Sequence, residues 1–218
     1  MTSPKYNRTP HLPWSPGGTS DDRRIESVES FLCTDIVVTE KLDGSNVCLE
    51  AEGCFARSHA AAPNHPSFDA FKALHARVRG RIPANTQVFG EWLYARHSIG
   101  YDKLPSYLMV FGVRNLTTNM WASWEEVEMW AEELGAPTVP VLAKESWLNR
   151  EWKLRDLTES LAALPSRCGG VREGVVVRKA AGFSDADFGL SLAKWVRKDH
   201  VQTDDHWKTQ AIVRNKVV

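Results

Sequence analysis

The chain has 218 residues, enough for one large domain, and its 43% hydrophobic and 25% charged residues are ordinary for a soluble globular protein. Its 27 basic and 27 acidic residues cancel, which argues against coating nucleic acid by bulk charge but leaves room for a local basic groove. No stretch approaches the ~18 apolar residues of a membrane span, the start lacks a signal pattern, and the four cysteines form no CxxC pair. We therefore expect a cytoplasmic protein with reduced thiols and no membrane partner.

The beginning of the chain is predicted to be irregular. Residues 1–22 are rich in Pro, Gly, Ser and Thr, but Leu12 and Trp14 are costly to leave in water, so we expect this arm to pack on the domain. A short helix is expected near residues 22–32. Strand signals then follow closely, at residues 36–40, 45–51 and 53–57.

Two amphipathic helices are predicted in the middle of the chain. The segment SFDAFKALHARVRG, residues 67–80, repeats apolar residues at helical spacing, with Ser67 as N-cap and Gly80 as stop. The segment SWEEVEMWAEELG, residues 123–135, carries the Ser-x-x-Glu spacing of a capping box and ends on a glycine.

A third helix is predicted after Asp156, with three leucines facing inward: Leu157, Leu161 and Leu164. The remaining strands are predicted in the segments TQVFGEWLY, SYLMVFGV, VREGVVVRK and LSLAKWVRK. Strands and helices do not alternate regularly, and hairpin-like spacings recur. The pattern therefore predicts an α+β fold with two mainly antiparallel sheets flanked by helices, not a doubly wound fold.

Lys41 stands where a buried strand ends. The strand would hold the lysine stem rigidly, and the turn Asp43-Gly44 would bring Ser45 and Asn46 back toward it. Later strands end on further ionisable residues, which can converge on one cleft: Arg57, Glu91, Glu173, Lys194 and Arg197.

Six segments then resemble a known family in their order and spacing. EKLDGSN, residues 40–46, resembles the KxDG lysine motif of the covalent nucleotidyltransferases, which are RNA and DNA ligases and mRNA capping enzymes. The other segments resemble the later motifs of that superfamily in the same order: FARSH, VFGEWLY, YLMVFGV, REGVVVRK and LAKWVRK. The lysine motif with its following asparagine, and REGVVVRK, look most like the ATP-dependent RNA ligases.

This resemblance implies a nucleotidyltransferase (ATP-grasp-like) domain over residues 23–200, followed by a short tail, 201–218, with no separate C-terminal domain. It implies ATP as a substrate with Mg²⁺ or Mn²⁺, and RNA ends as partners. Lys41 would attack the α-phosphorus of ATP and form lysyl-AMP. The AMP would pass to an RNA 5′-phosphate, and a 3′-hydroxyl would then displace it.

The resemblance also assigns roles to residues around Lys41. Glu40 would frame the adenine side, and Arg57, with Ser58, would bind sugar, phosphate or the RNA substrate. Asn46 would contact phosphate or the RNA end. The residue that packs on adenine stays open among Tyr107, Leu108 and Phe111, with Phe111 the cofactor-binding candidate and Leu108 the one that a simple register places at the face.

The charged residues receive the phosphate and metal roles. Glu91 would hold the ribose hydroxyls and, with Glu173, a divalent metal, because hard cations prefer oxygen ligands. Lys194 would act with Lys41 in catalysis and, with Arg197, neutralise the triphosphate. Because the free amine is the nucleophile, we expect nearby cations and a partly dry cleft to lower the pKa of Lys41 below the ordinary ~10.4.

Three readings remain open. The chain is interpreted first as an ATP-dependent RNA ligase. A second reading is a nucleotide or RNA-end-binding module without autonomous ligation, or a domain that needs a partner protein to bind RNA. A third is a DNA ligase or a capping-type guanylyltransferase.

Overall fold

The computed structural model describes residues 4–18, 22–59, 61–198 and 211–218. Within these, the strands are β1 (Ile36–Lys41), β2 (Ser45–Leu49), β3 (Cys54–Ala56), β4 (Thr86–Trp92), β5 (Leu108–Asn115), β6 (Met120–Trp121), β7 (Val141–Glu145), β8 (Gly174–Lys179), β9 (Phe183–Ser184) and β10 (Leu192–Val196). The helices are α1 (Asp69–Val78), α2 (Trp124–Glu133), α3 (Glu151–Ala163) and α4 (Phe188–Ser191).

The strands form two antiparallel sheets. One sheet has four strands in the order β10-β8-β1-β7, and the other has six in the order β3-β2-β4-β5-β6-β9. The chain crosses from the first sheet to the second at the turn after Lys41, because β1 and β2 are consecutive but lie in different sheets. The α+β prediction with two mainly antiparallel sheets is confirmed.

The three longer helices pack against the sheets, whereas residues of α4 line the cavity described below. Leu154 of α3 is fully buried against apolar residues of β1, β8 and β10, and α2 packs along β5. Phe68 and Phe71, at the start of α1, are buried with the core of the six-stranded sheet. A third group of buried side chains is largely aromatic and includes Phe89 and Trp121.

Three of the four predicted helices are present, and two of these three have different bounds. The capping box of α2 forms as predicted: the Ser123 hydroxyl accepts from the Glu126 N–H, and the Glu126 carboxylate accepts from the Ser123 N–H. Ser67 is not the N-cap of α1, because it lies inside a 3₁₀ turn, Pro66–Phe68, that is capped by the His65 side chain.

The other helix predictions need correction too. The α3 helix begins at Glu151, before the predicted start, and Leu164 lies outside it and is exposed. The helix expected near residues 22–32 is only a 3₁₀ turn, Glu29–Phe31. Short pieces of this kind bury too little periodic surface for the sequence pattern to define their ends.

The arm before β1 runs beside the edge strand β10. Leu12 is fully buried; its N–H donates to the Lys194 carbonyl over 2.8 Å, and the Lys194 N–H donates to the Pro10 carbonyl over 2.8 Å. Farther along, the Gly17 N–H donates to the Val196 carbonyl over 2.9 Å. The arm therefore covers the open edge of the four-stranded sheet.

The end of the chain is partly described. Residues 201–210 of the predicted tail lie outside the described residues, and residues 211–218 run as an extended segment along the loop after β4. Among the described residues, no helix combines the length and apolar character needed to cross a membrane.

Candidate active site

A cavity of about 1580 Å³ opens between the two sheets, and residues of both sheets line it. All of the predicted site residues line this cavity except Glu173 and Arg197. The sheets converge here because the turn between β1 and β2 carries the chain from one to the other. Lys41, the last residue of β1, consequently faces residues from the other sheet.

Lys41 forms an ion pair with Glu173, which is buried immediately before β8. The Lys41 Nζ lies 2.7 Å from Glu173 Oε1 and 2.8 Å from Oε2. The pairing of β1 with β8 places Lys41 opposite Gly174, the neighbour of Glu173 in the chain. Glu173 is therefore part of the site although it lies behind Lys41 and does not line the cavity.

The turn after Lys41 is held by the second sheet and by the loop after β4. The Gly44 N–H donates to the Glu91 carboxylate over 3.0 Å, and the Asp43 N–H donates to the Tyr101 hydroxyl over 2.9 Å. A Cβ at Gly44 would lie 2.8 Å from the Trp92 carbonyl oxygen, so only glycine fits here. These contacts fix the direction in which Lys41 leaves the strand.

The carboxylates around Lys41 dominate the electrostatics of the site. Burial raises the pKa of Glu91 to about 8, with Glu173 and Asp43 adding to the rise and Lys41 opposing it. Burial also raises the pKa of Glu173, while Lys41 opposes the rise. In this site, the carboxylates thus outnumber the cations that are close enough to stabilise their negative charge.

The expected depression of the Lys41 pKa is not found. Burial acts to lower the pKa of Lys41, but the Glu173 and Glu91 carboxylates raise it more, so the net pKa is above its ordinary value. The predicted cations do not change this, because Lys41 contacts a carboxylate and Lys194 is engaged elsewhere. Lys41 is therefore held as an ammonium ion in this structure.

Lys194 of β10 lines the cavity and is held by the segment before β1. Its Nζ lies 3.3 Å from the Asp22 carboxylate, and the same carboxylate lies 3.5 Å from His11 Nε2. Burial lowers the pKa of Lys194, Asp22 opposes this, and the like charge of Lys41 adds to the decrease.

Polar residues of β2 and of the segment after β3 also line the cavity. Asn46 lies across the ladder from Glu91, and its Oδ1 is buried without a hydrogen-bond partner among the described residues. Arg57 and Ser58 are exposed at the cavity rim. A buried acceptor beside an exposed guanidinium suits a ligand that carries both donors and negative charge.

The family follows from a comparison with known sequences. The model of the RNA ligase family matches residues 34–196, well over half of the chain. The chain belongs to the RNA ligase family. No curated protein sequence matches it.

Solved RNA ligase structures share the fold of this RNA ligase family member. A mutant of the Naegleria gruberi RNA ligase with ATP and Mn has 17% identity and a TM-score of 0.57, covering 82% of this chain and 54% of that one. An apo mutant of the same ligase has 14% identity and a TM-score of 0.59, covering 88% and 57%. An archaeal ATP-dependent RNA ligase has 16% identity and a TM-score of 0.54, covering 86% and 48%. The chain thus spans about half the length of these ligases.

Glu40 of this RNA ligase family member forms a buried ion pair with Arg172. Its carboxylate accepts from the Arg167 N–H over 3.0 Å and lies 3.4 Å from Arg172 Nη2. Both side chains of the pair are buried, and Arg172 also donates to the Leu161 carbonyl. These contacts engage Oε2 of Glu40, whereas Oε1 is buried without a hydrogen-bond partner among the described residues. The expected role of Glu40 on the adenine side stays a prediction.

A bulge in β5 decides which of its side chains reaches the cavity. Phe89 pairs with Gly112 and Gly90 pairs with Val110, so Phe111 has no partner across the ladder. Phe111 lines the cavity, whereas Leu108 is fully buried in the core, so the register that placed Leu108 at the face was wrong. Tyr107 donates its hydroxyl to the Asn215 carbonyl instead. Bulges commonly re-aim a side chain beside a functional site.

Arg197 does not line the main cavity. Its N–H donates to the Glu173 carbonyl over 3.0 Å, and its side chain lines a second, smaller pocket. Arg197 and Lys194 thus line different cavities, and their expected joint action on one triphosphate stays a prediction. β10 ends at Val196, so Lys194 lies within the strand and Arg197 lies just after it.

Several cavity residues of this ligase family member were missed by the sequence analysis. Tyr6 of the arm packs edge-on against Phe111, with ring centroids 5.2 Å apart, and Asp22 holds Lys194. Arg178 lines the cavity and donates to the Ala122 carbonyl over 2.7 Å. Arg178 lies in the segment REGVVVRK, two residues after Val176, which also lines the cavity. Strand alternation, which puts these two side chains on the same face, was therefore the available signal. Tyr6 and Asp22 carried no such signal because the arm has no periodic pattern.

Proposed function

We propose that the chain is an ATP-dependent RNA ligase that joins 5′-phosphate and 3′-hydroxyl ends through a lysyl-AMP on Lys41. The observation that carries the proposal is the position of Lys41: it ends a buried strand inside a large cavity, paired with Glu173 and facing Glu91. Membership of the RNA ligase family and the ATP-dependent ligases of the same fold support it.

The first step forms the covalent intermediate. The Lys41 ammonium transfers a proton to solvent water, and the neutral Nζ then attacks the α-phosphorus of ATP. A nitrogen–phosphorus bond forms, the bond between the α-phosphorus and the oxygen that bridges to the β-phosphorus breaks, and pyrophosphate leaves. Lys194 lines the same cavity, and we assign it the role of stabilising the negative charge of the phosphates.

The next two steps transfer and release the AMP. An RNA 5′-phosphate oxygen attacks the phosphorus of lysyl-AMP, which frees Lys41 and gives an RNA adenylate. A 3′-hydroxyl oxygen then attacks the 5′-phosphorus, so a phosphodiester bond forms and AMP leaves. Asn46, Arg57 and Ser58 lie on the cavity wall where they are available to the RNA end.

The acidic residues fit a divalent cation. Glu173 is buried and Glu91 is half-buried. Burial raises the pKa of both carboxylates, Asp43 adds to both increases, and the charge of Glu173 adds to that of Glu91. Such an excess of oxygen donors suits Mg²⁺ or Mn²⁺. When bound, the cation supplies charge neutralisation of the phosphates, and Glu173 and Glu91 are the residues that would hold it.

RNA ends are the proposed partners, and the cytoplasm is the proposed compartment. The four cysteines are free thiols, three of them buried, which suits a reducing environment. A nucleotide-binding module without ligation would not require the attacking lysine and its paired glutamate. That reading and the DNA ligase or capping reading are separated from ours by the following experiment.

The covalent step gives a direct test. Incubation with α-labelled ATP and Mg²⁺ or Mn²⁺ is expected to leave a label on the protein that survives denaturation, because the lysyl phosphoramidate is covalent. Lys41→Ala should carry no label. Lys72→Ala, which removes a partly exposed lysine of α1, should be labelled like the wild type.

The outcomes distinguish the readings. Label from ATP alone, lost in Lys41→Ala, followed by sealing of nicked RNA in preference to nicked DNA, supports the proposal. Label from GTP in place of ATP would indicate a capping-type enzyme. A folded wild-type protein without label in either metal would contradict the proposal and favour a binding module.

Phe111 supplies a second prediction about the nucleotide. Phe111→Ala is expected to raise the ATP concentration for half-maximal labelling by roughly 5- to 150-fold, because a base–aromatic stack contributes about 1–3 kcal/mol. Phe111→Tyr keeps the ring and should stay near the wild type. An unchanged ATP dependence in a folded Phe111→Ala protein would show that another side chain holds the base.

A further inference from the structure

A second pocket, of about 510 Å³, lies beside the catalytic cavity. The loop after β4 lines it between Arg96 and Asp102, with Gly170, Val171 and Arg197, and with the final segment of the chain between residues 213 and 216. The loop serves both sites: His97 lines the catalytic cavity, while its neighbours Arg96 and Ser98 line the second pocket. The two cavities therefore share a wall.

The second pocket is strongly basic. Four cationic residues line it, Arg96, Arg197, Arg214 and Lys216, against the single carboxylate of Asp102. None of the four forms an ion pair within the part of the chain that the structure describes. In a chain with no net charge, such a local concentration of repelling cations indicates an anionic ligand.

The pocket is built by hydrogen bonds that hold the final segment in place. The Arg96 N–H donates to the Val213 carbonyl over 2.7 Å, and the Lys216 N–H donates to the Tyr101 carbonyl over 2.9 Å. Between them, the buried Asn215 side chain accepts from the Tyr101 N–H over 2.8 Å and donates to the Leu93 carbonyl over 2.8 Å. The backbone and Asn215 thus fix the segment, which leaves the side chains of Arg214 and Lys216 exposed for a ligand.

Arg197 connects this pocket to the catalytic residues. Its N–H donates to the carbonyl of Glu173, whose carboxylate pairs with Lys41. The Arg197 Nε is buried without a hydrogen-bond partner among the described residues. A guanidinium with an unsatisfied N–H, at the rim of a basic pocket, suits a phosphate oxygen.

We propose that this basic pocket binds a backbone phosphate of the RNA whose end is joined at Lys41. The inference rests on the proposed function and names the surface that holds its substrate. A phosphodiester is favoured because the pocket presents several guanidinium groups, which suit phosphate oxygens, beside the cavity where the RNA end must lie. The same chemistry would suit the outer phosphates of ATP, and the experiment separates the two sources.

The test uses the double variant Arg214→Ala/Lys216→Ala in the full chain. The control is Arg77→Ala/Arg79→Ala, which removes the same charge from exposed positions outside both cavities. Binding of a 5′-phosphorylated nicked RNA duplex is measured by fluorescence anisotropy at several salt concentrations. Labelling by ATP is measured in parallel, and a melting curve checks each fold.

The double variant is expected to bind the RNA at least ~10-fold more weakly, and the slope of log affinity against log salt should fall in magnitude by about 2. The control should keep the wild-type slope, and ATP labelling should be unchanged in both. Arg96→Gln, which leaves the final segment intact, should weaken RNA binding in the same direction.

Two results would overturn the inference. RNA affinity and salt slope equal to those of the control would show that no RNA phosphate is held here. Weaker ATP labelling with unchanged RNA binding would assign the pocket to the nucleotide instead. Because the binding assay requires no ligation, it still decides the inference if the wild type fails to label, which is the result that contradicts the proposed function.

Discussion

Glu173→Gln is expected to reduce the rate of ATP labelling at neutral pH by at least ~100-fold, the usual cost of losing one preorganised electrostatic contact. The glutamine has the same shape but no charge, so it removes an anionic oxygen donor that we assign to the divalent cation. It also removes the carboxylate that contributes most to the raised pKa of Lys41. The rate that remains should therefore reach half its maximum at a lower pH than in the wild type.

The pH dependence separates two roles of Glu173. In the wild type, the fraction of neutral Lys41 rises with pH toward its raised pKa, so labelling should increase on the alkaline side. Labelling rates across pH and Mg²⁺ concentration provide the measurement, with the exposed Glu125→Gln as control. A Glu173→Gln protein that labels at neutral pH as fast as the wild type, or faster, would mean that Glu173 only restrains the lysine.

Glu40→Ala is expected to lower the free energy of unfolding by about 3–5 kcal/mol, the typical cost of breaking a buried ion pair by removing one partner. The substitution leaves the Arg172 guanidinium buried without its carboxylate and deprives the Arg167 N–H of its acceptor. Urea denaturation measures the change. The control, Glu52→Ala, removes an exposed carboxylate and should change stability by no more than about 0.5 kcal/mol.

A double-mutant cycle tests the cause of this loss. Arg172→Met should also lower the free energy of unfolding. The decrease in the double variant Glu40→Ala/Arg172→Met should be smaller than the sum of the two single decreases by at least about 1 kcal/mol, because neither charge is then left buried alone. If Glu40→Ala lowers the free energy of unfolding by less than about 1 kcal/mol, the Glu40–Arg172 pair is as weak as a surface ion pair. Its sequence position beside Lys41 would then reflect a role in the cavity.

The sequence predicted the elements whose patterns are local. The α2 helix follows from its capping box, and the strands β1, β4, β5, β8 and β10 follow from apolar runs between turn residues. The order of the motifs also predicted that Lys41, Glu91 and Lys194 would meet, and they line one cavity. The short strand β7 was missed, because its residues are half-buried and show no clear alternation.

The details that failed depend on contacts between distant segments. Phe111 reaches the cavity through a bulge, which shifts strand alternation by one residue and has no local signature in this strand. The direction of the Glu40 side chain depends on Arg172, 132 residues away in the chain. The Lys41 pKa moved opposite to the expectation because the prediction counted the surrounding cations and gave too little weight to Glu173 and Glu91.

The arm before β1 has a thermodynamic consequence for the proposed ligase. The backbone of Lys194 forms hydrogen bonds with Pro10 and Leu12, and its ammonium group forms an ion pair with Asp22. A nucleotide phosphate that draws this ammonium away from Asp22 therefore acts against one of the contacts that dock the arm. Linkage requires the effect to be reciprocal. The factor by which bound nucleotide weakens docking of the arm on β10 equals the factor by which the docked arm weakens nucleotide binding. The arm thus competes with the nucleotide for Lys194, one of the two lysines to which we assign catalytic roles.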